Sequence, residues 1–260
     1  MAVAAEIRRL CKERKSSPEK FFARIVRKAL DEVIDAARTQ RFFIEDLETT
    51  EKTYIGTKIE IIVRSELDLL RGTVTDVVVA DIPVDIKWSL TRQWMMGPQL
   101  INHICLGLGL DASGRRFSVG VFRATHENLR KGKNQDKKVS LSAEGSKTIE
   151  WVVREADVPT DFIAELAATT RAEIFAATSA QERLFRLFSL CPMQQIPRSA
   201  VEIVAGGKKD PLRRLRQDAS NRTGLPGIRI VSTKYRREYL ESLGMTKLLA
   251  NHFVGVPDAR

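Results

Sequence analysis

The sequence predicts an α/β domain followed by a mostly helical one. Three observations predict it. An amphipathic stripe at helical spacing sits near the N-terminus. A series of β-prone apolar segments fills the stretch from Thr73 to Trp151. Helical spacing then returns beyond about residue 158. At 260 residues the chain is long enough for one large domain or two modest ones. We place the boundary in "READVPTD", giving domains 1–157 and 158–260.

The elements follow in order. Residues 2–14 read as a short basic helix. In "SSPEKFFARIVRKALDEVIDAARTQ", Ser17 supplies a cap, Pro18 suits the first turn and Glu19 suits the positive end. Phe22, Ile25, Val26, Ala29, Leu30, Val33 and Ile34 form its apolar stripe. "TEKTYIGTKIEIIVRSELDLLRG" is ambiguous: Ile59, Ile61 and Val63 alternate like a strand, whereas Ile55, Ile59, Ile62, Glu66 and Leu70 line a helix. We read it as a helix, stopped at Gly72. "TVTDVVVADIPVDIKWS" reads as two strands. Gly97-Pro98 starts a short helix, and "ICLGLGLDASGRRFSVGVFRA" is a hairpin around Ala112-Ser113-Gly114. "HENLRKGKNQDKKVS" is a basic loop, and Trp151 closes the first domain. Beyond the boundary, Thr178 with Gln181 or Ser179 with Glu182 forms a capping box before "RLFRLFSL". "PRSAVEIVAGG" is a helix stopped at Gly206, "DPLRRLRQDASNR" is another, and "IRIVS" is a short strand.

Composition narrows the function. The net charge of +10 favours a polyanionic partner, nucleic acid first, although proteins of ribosomes and membrane surfaces share that bias. Cys11, Cys105 and Cys191 are scattered and odd in number, which argues against a disulfide framework or a zinc site. No stretch approaches a membrane span, and "MAVAAEIRRLCKERK" is not a signal peptide, so we expect a cytoplasmic protein with no membrane partner.

The strand pair from Thr73 to Ser89 carries the chemistry. With a tight turn at Ala80 and Asp81, Asp76 and Asp85 face each other, unless Pro83 shifts the ladder by a residue. Lys87 shares a face with Asp85. Two facing carboxylates repel, and burial makes this worse. A divalent metal compensates, since Mg2+ takes carboxylate oxygens, waters and substrate phosphate. A neighbouring lysine orients or deprotonates a water, or stabilises charge on a phosphate. That describes a metal-dependent phosphodiester hydrolase. The alternative is a pair of solvated acids on an outer face, one of them paired with Lys87.

From Pro197 to Arg237 there are eleven Lys and Arg against three acids, a net +8 of the chain's +10. A helix, a turn, a basic helix and a strand with its own arginine describe a winged helix-turn-helix, whose second helix enters the DNA major groove. Candidate DNA contacts are Arg198, Arg213, Arg214, Arg216, Gln217 and Arg222 here. In the basic loop they are Lys131, Lys133, Asn134, Lys137 and Lys138. "GGKKD" lacks phosphate-loop spacing. His103, His126, Cys105, Trp88, Trp94 and Trp151 read as packing or surface residues.

The D-x-K after an upstream Asp resembles the PD-(D/E)xK nuclease fold. The string "EKTYIGTKIEIIVRSELDLLRGTVTDVVVADIPVDIKWS" is similar to NaeI-type restriction endonucleases. Their Glu, Asp, Asp and Lys fall on Glu60, Asp76, Asp85 and Lys87, with matching spacings. "LRKGKNQDKKVSLS" and "IEWV" are similar too. The resemblance implies a type II restriction endonuclease cutting both strands of DNA. Glu60, Asp76, Asp85 and the Ile86 carbonyl would hold Mg2+, and Lys87 would position or activate the attacking water. It implies that the C-terminal domain binds a second DNA site. A homodimer is expected, because two identical sites cut a twofold-symmetric target most simply. A companion methyltransferase is left open, with no stable complex expected. Two rival readings stand beside this one: a repair nuclease or nickase on mismatched or modified DNA, and a DNA-binding regulator with a silent nuclease site.

Overall fold

A computed structural model describes residues 1–132, 137–206 and 227–257. By compactness the chain forms two units. The first comprises Met1–Val33 and Ile44–Pro159; the second comprises Ile34–Phe43 and Thr160–Arg260.

The first unit opens with helices α1 (Ala2–Glu13) and α2 (Pro18–Ile34). In α1 the residues Val3, Ala4, Ile7 and Cys11 are buried along one stripe. The expected stripe of α2 is buried in full, with Phe21 added to it. Removing such a phenylalanine from water contributes roughly 1.5–3 kcal/mol. Helix α4 (Thr49–Leu67) settles the helix-or-strand ambiguity: Ile55, Ile59, Ile62, Val63 and Leu67 are buried, whereas Ile61 is exposed. Its start is a capping box made by Glu48 and Glu51. Its stop is Asp68, in the left-handed conformation, rather than Gly72. Gly72 has another task. A Cβ there would lie 2.2 Å from the Thr75 carbonyl oxygen, so only glycine fits the tight loop leading to Asp76.

A six-stranded sheet forms the centre, in the order β1-β2-β3-β5-β6-β8. Its strands are β1 (Leu70–Arg71), β2 (Val77–Val79), β3 (Ile82–Ser89), β5 (Ile104–Leu110), β6 (Arg116–Arg123) and β8 (Glu150–Asp157). The pairs are antiparallel except β3 with β5, which is parallel. The unit thus continues past Trp151, which lies at the start of a full strand. The turn at Ala80 and Asp81 has positive φ at both residues (50° and 61°), the geometry that closes a two-residue hairpin. Pro83 does not shift the register: it pairs with Val78, and Val84 pairs with Val77. The hairpin around Ala112-Ser113-Gly114 forms as expected, with Leu110 opposite Phe117. The expected short helix after Gly97 is a single 3-10 turn, Pro98–Leu100.

A satellite core sits under β4 (Met95–Met96) and β7 (Val139–Ser140), which pair with each other. Trp94 anchors it, stacked on Phe122 and donating its indole N–H to the Leu108 carbonyl at 2.8 Å. Helix α5 (Ala143–Lys147) follows β7, capped by Ser142.

In the second unit, α3 (Ala36–Thr39) joins α6 (Phe162–Glu165), α7 (Ala168–Phe175), α8 (Ala180–Leu190), α9 (Arg198–Val204) and α10 (Arg237–Ser242). The α8 cap is Ser179, whose Oγ accepts the Glu182 N–H at 3.1 Å. Helix α9 ends as expected before Gly206, at φ +69°. A three-stranded antiparallel sheet runs in the order β10 (Ile228–Ser232), β11 (His252–Pro257), β9 (Ile196–Pro197). Leu184, Leu187, Phe188, Ile196, Val201 and Val204 form this unit's core. No helix of the described residues is long and apolar enough to cross a membrane.

Candidate active site

The β2–β3 hairpin and α4 bring four predicted side chains into electrostatic contact. The register that pairs Val77 with Val84 sets Asp76, just before β2, opposite Asp85. Asp85 and Lys87 share one face of β3, and Val84 and Ile86 share the other. The reading of Asp85 as a solvated outer-face acid fails, because only 7% of the residue is exposed. Lys87 does pair with it, Nζ lying 2.5 Å from Asp85 Oδ2. The angles of that contact are poor, and Oδ2 has no hydrogen-bond partner of acceptable geometry among the described residues. Asp76 turns toward the strand instead, its Oδ2 accepting the Ile86 N–H at 2.6 Å. The N–H and C=O of a strand residue leave the same edge, so the Ile86 carbonyl is directed toward the Asp76 side.

Glu60 lies on α4, facing this hairpin. Glu66, further along the same helix, points elsewhere: it pairs with Arg24 and Lys28 of α2, at 3.4 and 3.3 Å. Burial, with the neighbouring Asp76 charge, pushes the Glu60 carboxyl up to about 7. Burial also raises Asp85, although the Lys87 ammonium opposes it. Burial pulls Lys87 down, but its close pairing with the Asp85 carboxylate outweighs this, leaving it above its ordinary value. Cys105, beside Asp85 on β5, is pushed up to about 12 by burial, so it stays an inert thiol.

Glu60, Asp76 and Asp85, expected to hold Mg2+ directly or through waters, are neighbours in electrostatic contact. Among the described residues no three His, Cys, Asp or Glu side chains converge enough to enclose a metal. The donor set still suits Mg2+, which uses one or two carboxylates and fills its remaining positions with waters and phosphate. The buried Asp85 Oδ2 without a well-aligned partner is the kind of atom such an ion satisfies.

The model of the restriction endonuclease NaeI family matches residues 8–257. The chain belongs to that family. It is 28% identical over 209 residues to the type II restriction enzyme NaeI of Lentzea aerocolonigenes. That alignment covers 77% of this chain and 65% of the relative, so the chain spans just under two thirds of that relative. Membership in the NaeI family agrees with the mixed α/β architecture.

The expected DNA contacts divide into two groups. Lys131, Lys137 and Lys138 are exposed on the loop before β7, and Arg198 is exposed at the start of α9, paired with Glu202 at 2.7 Å. Lys133, Asn134, Arg213, Arg214, Arg216, Gln217 and Arg222 lie outside the described residues. Sequence reasoning missed three neighbours of the acids. His103, set aside as a lone histidine, acts on Asp85 electrostatically. Arg64 and Arg71 line one cleft of about 260 Å³ with Glu60 and Asp76. Arg64 was within reach, since it follows Glu60 by one turn of the preferred helix.

Proposed function

We propose that this protein is a Mg2+-dependent type II restriction endonuclease that makes site-specific double-strand breaks in DNA. The observation that carries the reading is Asp85. It is a buried acid whose Oδ2 is paired with Lys87 alone, at poor angles, on one hairpin with Asp76 and near Glu60, in a chain of the NaeI family. Glu60, Asp76, Asp85 and the Ile86 carbonyl would hold the ion, directly or through waters. Bound there, Mg2+ supplies Lewis acidity and a favourable charge for a phosphate. The raised Lys87 keeps its proton at neutral pH. This suits orienting the attacking water and stabilising charge on the phosphate, rather than removing a proton.

We assign residues 1–157 to the PD-(D/E)xK endonuclease domain and 158–260 to a winged-helix DNA-binding domain with an effector role. The order α8, β9, α9, β10, β11, with β11 between the other two strands, supports the winged-helix reading. Arg213, Arg214, Arg216, Gln217 and Arg222, the DNA contacts expected of that domain, lie outside the described residues. Lys131, Lys133, Asn134, Lys137, Lys138 and Arg198 would hold DNA backbone. The protein would act as a homodimer in the cytoplasm, near the nucleoid, alongside a separate protective methyltransferase.

The test is incubation of unmethylated phage DNA with Mg2+ and the protein, beside Asp85→Ala and Lys87→Ala. Discrete fragments from the unmodified protein alone are expected. Intact DNA in every lane, with binding retained in a gel shift, would overturn the reading in favour of a silent regulator or a nuclease for modified DNA.

A further inference from the structure

The cleft beside Glu60 and Asp76 is lined by side chains of both charges. Glu60 and Arg64 come from α4. Arg71 comes from β1, opposite Val77, and Gly72 to Asp76 complete the wall. Carboxylates alone would repel the phosphates of DNA. Arg64 and Arg71 add positive charge to the same lining. Neither makes an ion pair among the described residues, unlike Arg24, Arg92 or Arg116, which are engaged by acids. Arg64 acts on Glu60 across the cleft without a close ion pair, so both guanidinium forks keep N–H groups for an outside anion, and a fork matches phosphate oxygens. The cleft's 260 Å³ equals roughly eight or nine waters, room for a phosphodiester group with part of its hydration.

We propose that Arg64 and Arg71 form a phosphate-binding arm. Their N–H groups donate to the non-bridging oxygens of one phosphate on the strand being cut, and so position that strand against Glu60 and Asp76. The proposal rests on the nuclease reading for its catalytic consequence but not for the binding itself. It also explains why α4 carries an arginine one turn after its acid. The two side chains present opposite charges to one cleft, so cation and phosphate are drawn to adjacent places.

Arg64→Ala, Arg71→Ala, their double variant and the corresponding Lys variants test it by two measurements. The first is the salt dependence of duplex DNA binding in chelator, which does not require cleavage. Loss of one phosphate contact should make the slope of log K against log salt shallower by about 0.9 in the double Ala variant. The Lys variants, which keep the charge, should retain the original slope. The second is single-turnover cleavage in Mg2+. Misplacing the strand should slow it by about 10- to 100-fold, and Lys should restore it only in part because it lacks the fork. An unchanged slope in the double Ala variant overturns the proposal, whatever the cleavage result. A changed slope in a protein that cuts no DNA upholds the arm and overturns the nuclease reading. Thermal melting of the Lys variants keeps a folding defect from being mistaken for either result.

Discussion

Two polar side chains are buried in different parts of the molecule, and they are treated differently. Thr233, after β10 in the second unit, is 2% exposed. Its Oγ1 lies 2.7 Å from the Leu249 carbonyl and 3.0 Å from that of His252, and accepts the His252 N–H at 3.2 Å. Everything it offers is used inside the protein. Asp85 is 7% exposed, and its Oδ2 is held only by a poorly aligned lysine. A buried polar group that closes on its own neighbours belongs to the architecture. One left with unused capacity, next to like charges, points outward to a ligand.

The largest expected effect separates the two. Asp85→Asn should lower DNA cleavage by at least about 100-fold, while its melting temperature moves less than that of Thr233→Val. A fall in stability as large as the Thr233 variant's would put Asp85 with the architecture and erase the contrast. Thr233→Val should cost roughly 1–3 kcal/mol, read by denaturant unfolding, because it strands the backbone groups of Leu249 and His252. Ser179→Ala, which removes the α8 cap, should cost about 1 kcal/mol in the same assay.

The smallest effect is a slope. The Glu60 carboxyl is raised to about 7, so between about pH 4.5 and 7 the folded protein keeps a proton that the unfolded chain has released. Glu60 therefore favours folding below that window, and the benefit is lost as pH rises through it. In chelator, the melting temperature should decline across this range, and Glu60→Gln should flatten the decline. Parallel curves for the two proteins would show that Glu60 is not coupled to the acids of the hairpin.

The hairpin was legible because alternation, a two-residue turn and facing acids are all local. The same holds for α2, whose stripe needs only its own spacing, and for the Ser179 cap once Glu182 is noticed three residues on. Other features were hidden for identifiable reasons. The strands β1, β4 and β7 have two residues each, too short to show a period. The parallel pairing of β3 with β5 joins segments by a register that neither sequence encodes alone. Gly72 looked like a helix stop because glycine commonly is one, yet its constraint is the Thr75 carbonyl. Glu60 and Glu66 lie on one helix, and only the fold shows that Glu66 is taken up by the cations of α2. The acids of the expected metal set are neighbours in electrostatic contact, an arrangement that spacing along the chain pointed to but could not measure.

The segment Ile34–Phe43 belongs to the second compact unit although it is flanked by the first. Phe42 meets the ring of Phe175 at 5.4 Å, and the Arg171 guanidinium lies over both Phe42 and Phe43. During synthesis this segment leaves the ribosome long before its partners in α7 exist. Until they arrive, two phenylalanines have nothing native to pack against, and the contacts that bury them are among the slower ones to form. A fragment ending near residue 159 would keep that segment unpaired and tend to aggregate, whereas one beginning at 160 would lack part of its own core. The second unit therefore holds an early segment in waiting, and cannot complete its core until residues far along the chain have been made.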